Sequence, residues 1–303
     1  MNDKPRIGWI GTGVMGGHMA GHLLSAGYDL TVYNRSPEKM KALVERGAAA
    51  AASPAEVGAR SDIVFSIVGY PADVEAVSAG PDGAFSTMAP GSIYCDMTTS
   101  SPALAERLAE AAQARGIISM DAPVPGGDVG ARDATLSIFV GGSAEGYEAL
   151  LPCLEAMGKR IMHCGGAGMG QQAKLANQIA VAGVMFSVCE SLLYAQKAGL
   201  DVRKWHELVS VGAGGSVAMK TLGTRMMKGD YAPGFFVDHF VKDLGLVLEE
   251  CRRMDLILPG AELAGRLYRS LQAKGRGTDG TQALIEALAE DSGTAWEPVP
   301  AAE

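Results

Sequence analysis

Short apolar runs recur through the first half of the chain, separated by stretches with helical spacing. Arg6–Ile10, Asp29–Tyr33, Asp62–Val68, Ser92–Cys95, Ile117–Met120, Leu136–Val140 and Arg160–Cys164 predict strands. The run Ile63-Val64-Phe65-Ser66-Ile67-Val68 is nearly continuous, which suits a parallel strand buried on both faces. Serine precedes proline at 36/37, 53/54 and 101/102, a pattern that predicts helix starts with Ser as cap and Pro in the first turn. Such alternation predicts an α/β fold with a doubly wound parallel sheet. After Cys164 the pattern changes. Gly165-Gly166-Ala167-Gly168 punctuates the chain, and one long helical pattern runs from Met169 to Ala198. Further helices are predicted over Val202–Ser210, Val217–Met227, Phe235–Met254, Ala261–Ala273 and Thr281–Glu290. The expected organisation is therefore an α/β domain over 1–164 and an all-helical domain over 165–303, joined by a long interdomain helix, with Thr294–Glu303 frayed.

The first strand runs into Gly11-Thr12-Gly13-Val14-Met15-Gly16. In a G-x-G-x-x-G between strand and helix, the first glycine makes the tight turn and the second admits a pyrophosphate. The third lets helix and strand pack closely, and the helix N-terminus holds the diphosphate. Here the helix spans Val14–Ala26, Gly27 stops it, and a second strand follows. This context predicts a Rossmann-type, NAD(P)-binding domain. At the end of the second strand, about 20 residues on, NAD enzymes usually place an acid for the ribose 2′-hydroxyl. This chain has Asn34-Arg35-Ser36. A guanidinium can grip a 2′-phosphate that a carboxylate would repel, so NADP(H) is favoured. The alternative is a solvated Arg35 with Asn34 on the ribose hydroxyls, which leaves NAD(H) possible.

Composition narrows the class. The 303 residues are 48% hydrophobic, enough for about two domains. A net charge of −8 without long runs argues against a nucleic-acid surface. Cys95, Cys153, Cys164, Cys189 and Cys251 form no CxxC, which suggests free thiols in a reducing compartment. No signal peptide is recognised, and no apolar stretch is expected to span a bilayer, so the expectation is a cytoplasmic protein without a membrane partner. His18 and His22 share a helix face at i, i+4, but no third ligand is visible and no metal is expected.

Lys174 lies early in the long helix, just past the glycine hinge, where the two domains are expected to meet. A lysine shielded from water beside a charged cofactor can act as general acid or base. Spacing alone leaves open that it is an ordinary exposed helix lysine. Asn177 and Gln178 follow at i+3 and i+4.

Five motifs in order change that balance. They are the glycine turn at 11–16; Asp96-Met97-Thr98-Thr99-Ser100-Ser101-Pro102; Asp121-Ala122-Pro123-Val124-Pro125-Gly126-Gly127; Gly168-x-Gly170-x-x-x-Lys174; and Lys242-Asp243-Leu244 after Pro233-Gly234-Phe235. Over nearly its whole length the chain resembles the β-hydroxyacid dehydrogenase family. That group includes 3-hydroxyisobutyrate dehydrogenase, tartronate semialdehyde reductase and glyoxylate/succinic semialdehyde reductase. The resemblance implies an oxidoreductase that moves a hydride between NADP(H) and a small 3-hydroxyacid or its semialdehyde, with a C-terminal domain like that of 6-phosphogluconate dehydrogenase. It implies Lys174 as the general acid/base. It implies substrate contacts at Thr99, Pro125, Gly126, Gly127, Asn177, Gln178, Phe235 and Asp243, and cofactor contacts at Val68, Gly69, Thr99 and Lys242. The partner is then a small carboxylic acid, and the protein a homo-oligomer, dimer or tetramer. The sequence departs from the family twice. Pro125 stands where Ser is common, and Gln178 stands where Asn is common, with Asn177 just before it. An imine reductase of the same fold is the rival, and its site would usually lack the lysine signature.

Overall fold

The computed structural model describes residues 4–299. Its contacts divide the chain into two compact units, Met1–Lys174 and Leu175–Glu303.

The first unit holds eight strands: β1 (Ile7–Ile10), β2 (Leu30–Tyr33), β3 (Ala49–Ala50), β4 (Ile63–Ser66), β5 (Ile93–Asp96), β6 (Ile118–Asp121), β7 (Leu136–Gly141) and β8 (Gly158–Gly165). They form one sheet in the order β3-β2-β1-β4-β5-β6-β7-β8. The order reverses between β1 and β4, so a crevice opens at the carboxyl ends of those two strands, where such sheets bind ligands. Alternate residues feed opposite faces. Ile7, Trp9, Phe65 and Cys95 join one buried cluster, and Ile10, Val64 and Tyr94 join another. Burial on both faces is why these runs carry so few polar positions.

One pairing differs from the expected parallel sheet: β6 and β7 are antiparallel, matched at Asp121↔Gly141. The chain continues past β6 along β7, where Phe139 and Ser137 donate to the carbonyls of Pro123 and Pro125 at 3.1 Å each. The prolines have no N–H to give back, so the strand stops there and the arm becomes a loop.

The helices of this unit are α1 (Gly16–Ser25), α2 (Lys41–Glu45), α3 (Pro54–Arg60), α4 (Pro71–Ser78), α5 (Pro102–Gln113), α6 (Gly127–Arg132) and α7 (Ala144–Glu155). Ser53 and Ser101 cap α3 and α5 by accepting from Glu56 N and Leu104 N. Ser36 makes no such bond, and Pro37–Met40 is a 3-10 turn that leads into α2. The two-residue strand β3 was not foreseen; it is too short to carry a hydrophobic period.

α8 (Met169–Lys197) begins in the first unit and continues into the second. The boundary between these compact units falls inside this helix, at Lys174/Leu175, because the start of α8 is bonded to β6 and to the loop after β5 (below). The second unit adds α9 (Val202–Val209), α10 (Thr224–Met227), α11 (Val237–Arg253), α12 (Pro259–Leu271) and α13 (Leu284–Asp291) around Met185, Leu192, Met226, Phe240 and Tyr268. The helix expected over Val217–Met227 contains a π-helical turn, Met219–Gly223. The late helix starts at Val237, because Phe236 instead pairs with Gly280 in an isolated bridge.

Two expectations need correction. The tail is anchored, not frayed, as far as residue 299. Trp296 is buried and donates Nε1–H to Met226 O at 3.1 Å, and Val299 N bonds Met227 O at 2.7 Å. The rest of the expected frayed end lies outside the described residues. And α8, with a mean hydropathy of 1.5, is long and apolar enough to cross a membrane by length and composition alone. Its buried residues Ala182, Met185, Val188, Cys189, Leu192 and Ala195 pack into the helical core.

Candidate active site

At the end of β1 the chain turns at Gly11, with φ 96°. A Cβ there would lie 2.1 Å from Ile67 O, so only glycine lets the turn press against the end of β4. Trp9 Nε1–H steadies the turn by donating to Gly11 O at 2.9 Å. A Cβ on Gly16 would meet Gly11 O at 2.0 Å, whereas one on Gly13 would meet no protein atom within 4 Å. Thr12 Oγ1 is buried and has no hydrogen-bond partner among the described residues. α1 carries no acid in its first turn, and Met15 at its N-cap offers no side-chain acceptor. Open space over Gly13, an orphaned hydroxyl and uncapped amides fit a diphosphate. Val14 is exposed and Met15 half-buried.

At the end of β2, Asn34 bridges two backbones. Its Oδ1 accepts Thr12 N–H at 2.9 Å and its Nδ2 donates to Ser36 O at 3.0 Å. Arg35 is exposed, with Nη1 3.5 Å from Asp73 Oδ1. Val68 N–H donates to Thr98 Oγ1 at 2.9 Å. Gly69 sits beside Asp73, since a Cβ there would lie 3.3 Å from Asp73 Oδ2. Asn34, Arg35, Gly69 and Gly11–Gly16 are thus gathered at the β1/β4 crevice, together with Asp73, which sequence reasoning passed over. Its only signal was the Tyr70-Pro71-x-Asp73 helix start.

A second cluster forms at the ends of β5 and β6. Asp121 accepts from Gly168 N and Gln171 N, both at 2.8 Å. Gln171 donates to Thr98 O and accepts from Ser100 N, again at 2.8 Å. Gly170 lies so close that a Cβ would fall 2.5 Å from Phe139 O and 2.7 Å from Asp121 O. The start of α8 is therefore fastened to the end of β6 and to the loop after β5, and the glycines of Gly168-x-Gly170 serve that docking. One turn on, Lys174 is 7% exposed, and its Nζ donates to Val124 O at 3.1 Å. The bland reading of an exposed helix lysine fails on that burial. Val124 leads directly into Pro125, Gly126 and Gly127, the two glycines having φ 129° and 63°. Half-buried Thr99 lies between the pinned Thr98 and Ser100. Sequence reasoning missed Gln171 and named Asp121 only as the first residue of a motif, because neither residue type marks chemistry without its neighbours.

Burial pushes the carboxyls of Asp96 and Asp121 up to about 6 against the hydrogen bonds that each accepts, and the Asp121 charge raises Asp96 further. Asp96 accepts from Ser66 Oγ at 2.9 Å and Thr98 N at 3.1 Å. A carboxyl whose folded pKa exceeds its unfolded value binds protons more tightly in the native state, so stability falls as pH rises through about 4–6 and levels above. Asp96→Asn, which keeps an acceptor, should flatten that fall by on the order of 2 kcal/mol in denaturant titrations at stepped pH. An unchanged pH dependence would contradict the assignment.

The helical unit has its own chain of contacts. Asn177 Nδ2 donates to Gln178 Oε1 at 2.9 Å, and Gln178 Nε2 donates to Asp243 Oδ2 at 2.6 Å. Asp243 is 1% exposed and pairs through Oδ1 with Lys242 Nζ at 2.9 Å. Phe235 packs on Phe240 with ring centroids 5.4 Å apart. On α1, His22 Nε2 meets the carbonyls of Ala131 and Arg132, a structural contact.

Residues 6–166 match the family described as the NAD binding domain of 6-phosphogluconate dehydrogenase. Residues 168–288 match the NAD-binding domain of NADP-dependent 3-hydroxyisobutyrate dehydrogenase. The chain is 52% identical to the probable 3-hydroxyisobutyrate dehydrogenase-like 1 of Arabidopsis thaliana, named as mitochondrial, over 94% of this chain and 86% of that protein. It is 36% identical to the 2-hydroxy-3-oxopropionate reductase of Escherichia coli, over 93% of this chain and 97% of that one. Among solved structures, the 3-hydroxyisobutyrate dehydrogenase of Salmonella typhimurium superposes with a TM-score of 0.85 at 31% identity, covering 93% of this chain and 99% of its own.

Proposed function

Because the chain belongs to the β-hydroxyacid dehydrogenase family, NAD(P)-dependent oxidoreductases acting on CH–OH, we propose that it interconverts a small 3-hydroxyacid and its semialdehyde with Lys174 as the general acid/base. The observation that carries this reading is the Lys174 amine, buried and hydrogen-bonded at Val124 beside the 125–127 loop. When bound, the nicotinamide accepts or donates the hydride. Lys174 Nζ takes the hydroxyl proton in oxidation and returns it to the carbonyl oxygen in reduction. Asp121 and Gln171 fix where that amine stands, by holding the turn of α8 that precedes it.

The Gly126 and Gly127 amides are the groups we assign to the substrate carboxylate. Pro125 adds neither hydroxyl nor N–H, so the clamp lacks one charge-assisted bond of about 1.5–3 kcal/mol relative to a serine. In the helical unit, Gln178 is engaged at both ends of its amide, which supports Asn177 as the substrate-facing carboxamide. We assign Lys242 to the cofactor and Asp243 to ordering that part of the site, with Phe235 on its apolar side. An imine reductase of this fold is disfavoured by the buried lysine.

We assign NADP(H) as the preferred cofactor on two grounds. Arg35 stands beyond β2 where an acid would select NAD, and residues 168–288 match a family described as NADP-dependent. The deciding experiment is initial-rate kinetics with small semialdehydes, glyoxylate and cyclic imines, using NADPH and NADH. Semialdehydes should turn over and imines should not. Arg35→Asp should lower kcat/KM for NADPH by about tenfold or more while sparing NADH. An unchanged cofactor ratio would remove Arg35 from the assignment. Exposed Tyr194, Leu208, Val211 and Val217 on the helical unit support a homo-oligomer, and the five free cysteines support work in the cytoplasm.

A further inference from the structure

Asp73 has no part in the reading above, yet its carboxylate is held from two sides. Oδ2 accepts Tyr70 N–H at 3.2 Å, in the capping box that opens α4. Oδ1 faces Arg35 Nη1 at 3.5 Å. An ion pair this long, on an arginine 87% exposed, contributes little to stability. Its position gives it weight. The cap favours this position of the carboxylate and keeps it beside Arg35 when an anion arrives there. Any phosphate gripped by Arg35 is drawn close to a fixed negative charge, and the two repel. A ribose bearing a 2′-hydroxyl meets the opposite case, because a carboxylate accepts its hydrogen bond.

That acceptor role normally falls to an acid at the end of β2. This chain has Asn34 there, and its amide is occupied by Thr12 N and Ser36 O. Asp73 brings a carboxylate to the same corner from a different element, next to Gly69.

We propose that Asp73 sets the dinucleotide preference: it competes with a ribose 2′-phosphate for Arg35, and it accepts from a ribose 2′-hydroxyl when no phosphate is present. The proposal rests on the assignment of Arg35 to the 2′-phosphate. It makes the corner a balance between one cation and one anion, not a site committed to NADP(H).

Calorimetric titration of NADP+ and NAD+ into the full-length protein tests this without turnover. The variants are Asp73→Asn, Arg35→Ala and the double substitution. Asparagine still accepts Tyr70 N–H, and Asp73→Ser provides a second capping replacement should the first not fold. Removing the charge should tighten NADP+ by about fivefold relative to NAD+, equivalent to about 1 kcal/mol. In the Arg35→Ala background the gain should shrink, because no cation is left to compete for. If Arg35→Ala weakens NADP+ but Asp73→Asn leaves the ratio within about twofold of wild type, the role of Asp73 is overturned and that of Arg35 stands. If Arg35→Ala leaves NADP+ binding unchanged, both fall together.

Discussion

Lys174→Ala should lower kcat by about 10²–10⁴-fold, the range that a positioned proton donor contributes. The dissociation constant for NADPH should stay near that of wild type, since we assign the dinucleotide to Gly11–Gly16 and Asn34–Ser36 at the ends of β1 and β2. Lys174→Arg separates charge from proton transfer. Its guanidinium remains cationic but does not deprotonate at working pH, so it should be about as inactive as alanine. The alanine variant also loses the bond to Val124 O, a cost of about 1 kcal/mol that thermal melting would register as a small shift. Single-turnover rates with bound NADPH give the chemical step directly. A rate for Lys174→Ala within about tenfold of wild type would end the general acid/base assignment.

The second large effect is expected away from any reacting atom. Gly170→Ala places a Cβ 2.5 Å from Phe139 O and 2.7 Å from Asp121 O. Both are main-chain atoms of neighbouring segments, so neither can turn aside as a flexible side chain would. The first turn of α8 must move, and the bonds from Gly168 N and Gln171 N to Asp121 stretch with it. A loss of about 1–3 kcal/mol in stability follows from such overpacking. Lys174 rides on the next turn, and a displacement of about 1 Å can cost about 10²-fold in rate. Gly183→Ala is the matched control on the same helix, because a Cβ there meets no atom within 4 Å. Denaturant titration and kcat should separate the two variants. Equal stability and turnover in both would show that the close approach of α8 to β6 is unimportant.

Much of this is legible in the sequence. The glycine turn announced itself because its chemistry is local: Gly11, Gly13 and Gly16 are required by a strand, a turn and a helix within ten residues. Lys174 carries a family signature, but spacing alone does not place it, since a lysine on a helix faces water unless something covers it. The covering comes from Val124, 50 positions away in sequence. Asp121 and Gln171 were undervalued for the same reason. A lone Asp before a proline-rich loop and a Gln on a helix carry no signal until the fold bonds one to the other. Asp73 was read past entirely, as its partner Arg35 lies on another βα unit. Asn34 was weighed as a ribose ligand, and its amide turned out to brace the glycine turn. The β6–β7 reversal was also hidden, because an apolar run does not state the direction of its neighbour.

Periodicity and composition, acting over a few residues, determined the strands, the helices, the nucleotide turn and the change from α/β to all-α architecture. Tertiary structure alone decided which polar groups lost their water. It buried Lys174 against a carbonyl, tied Asp121 to the start of α8, and set Asp73 opposite Arg35. Those outcomes depend on long-range chain crossings, where hydrogen bonds and charges take their strength from the partners that exclude solvent, and no short stretch of sequence encodes that.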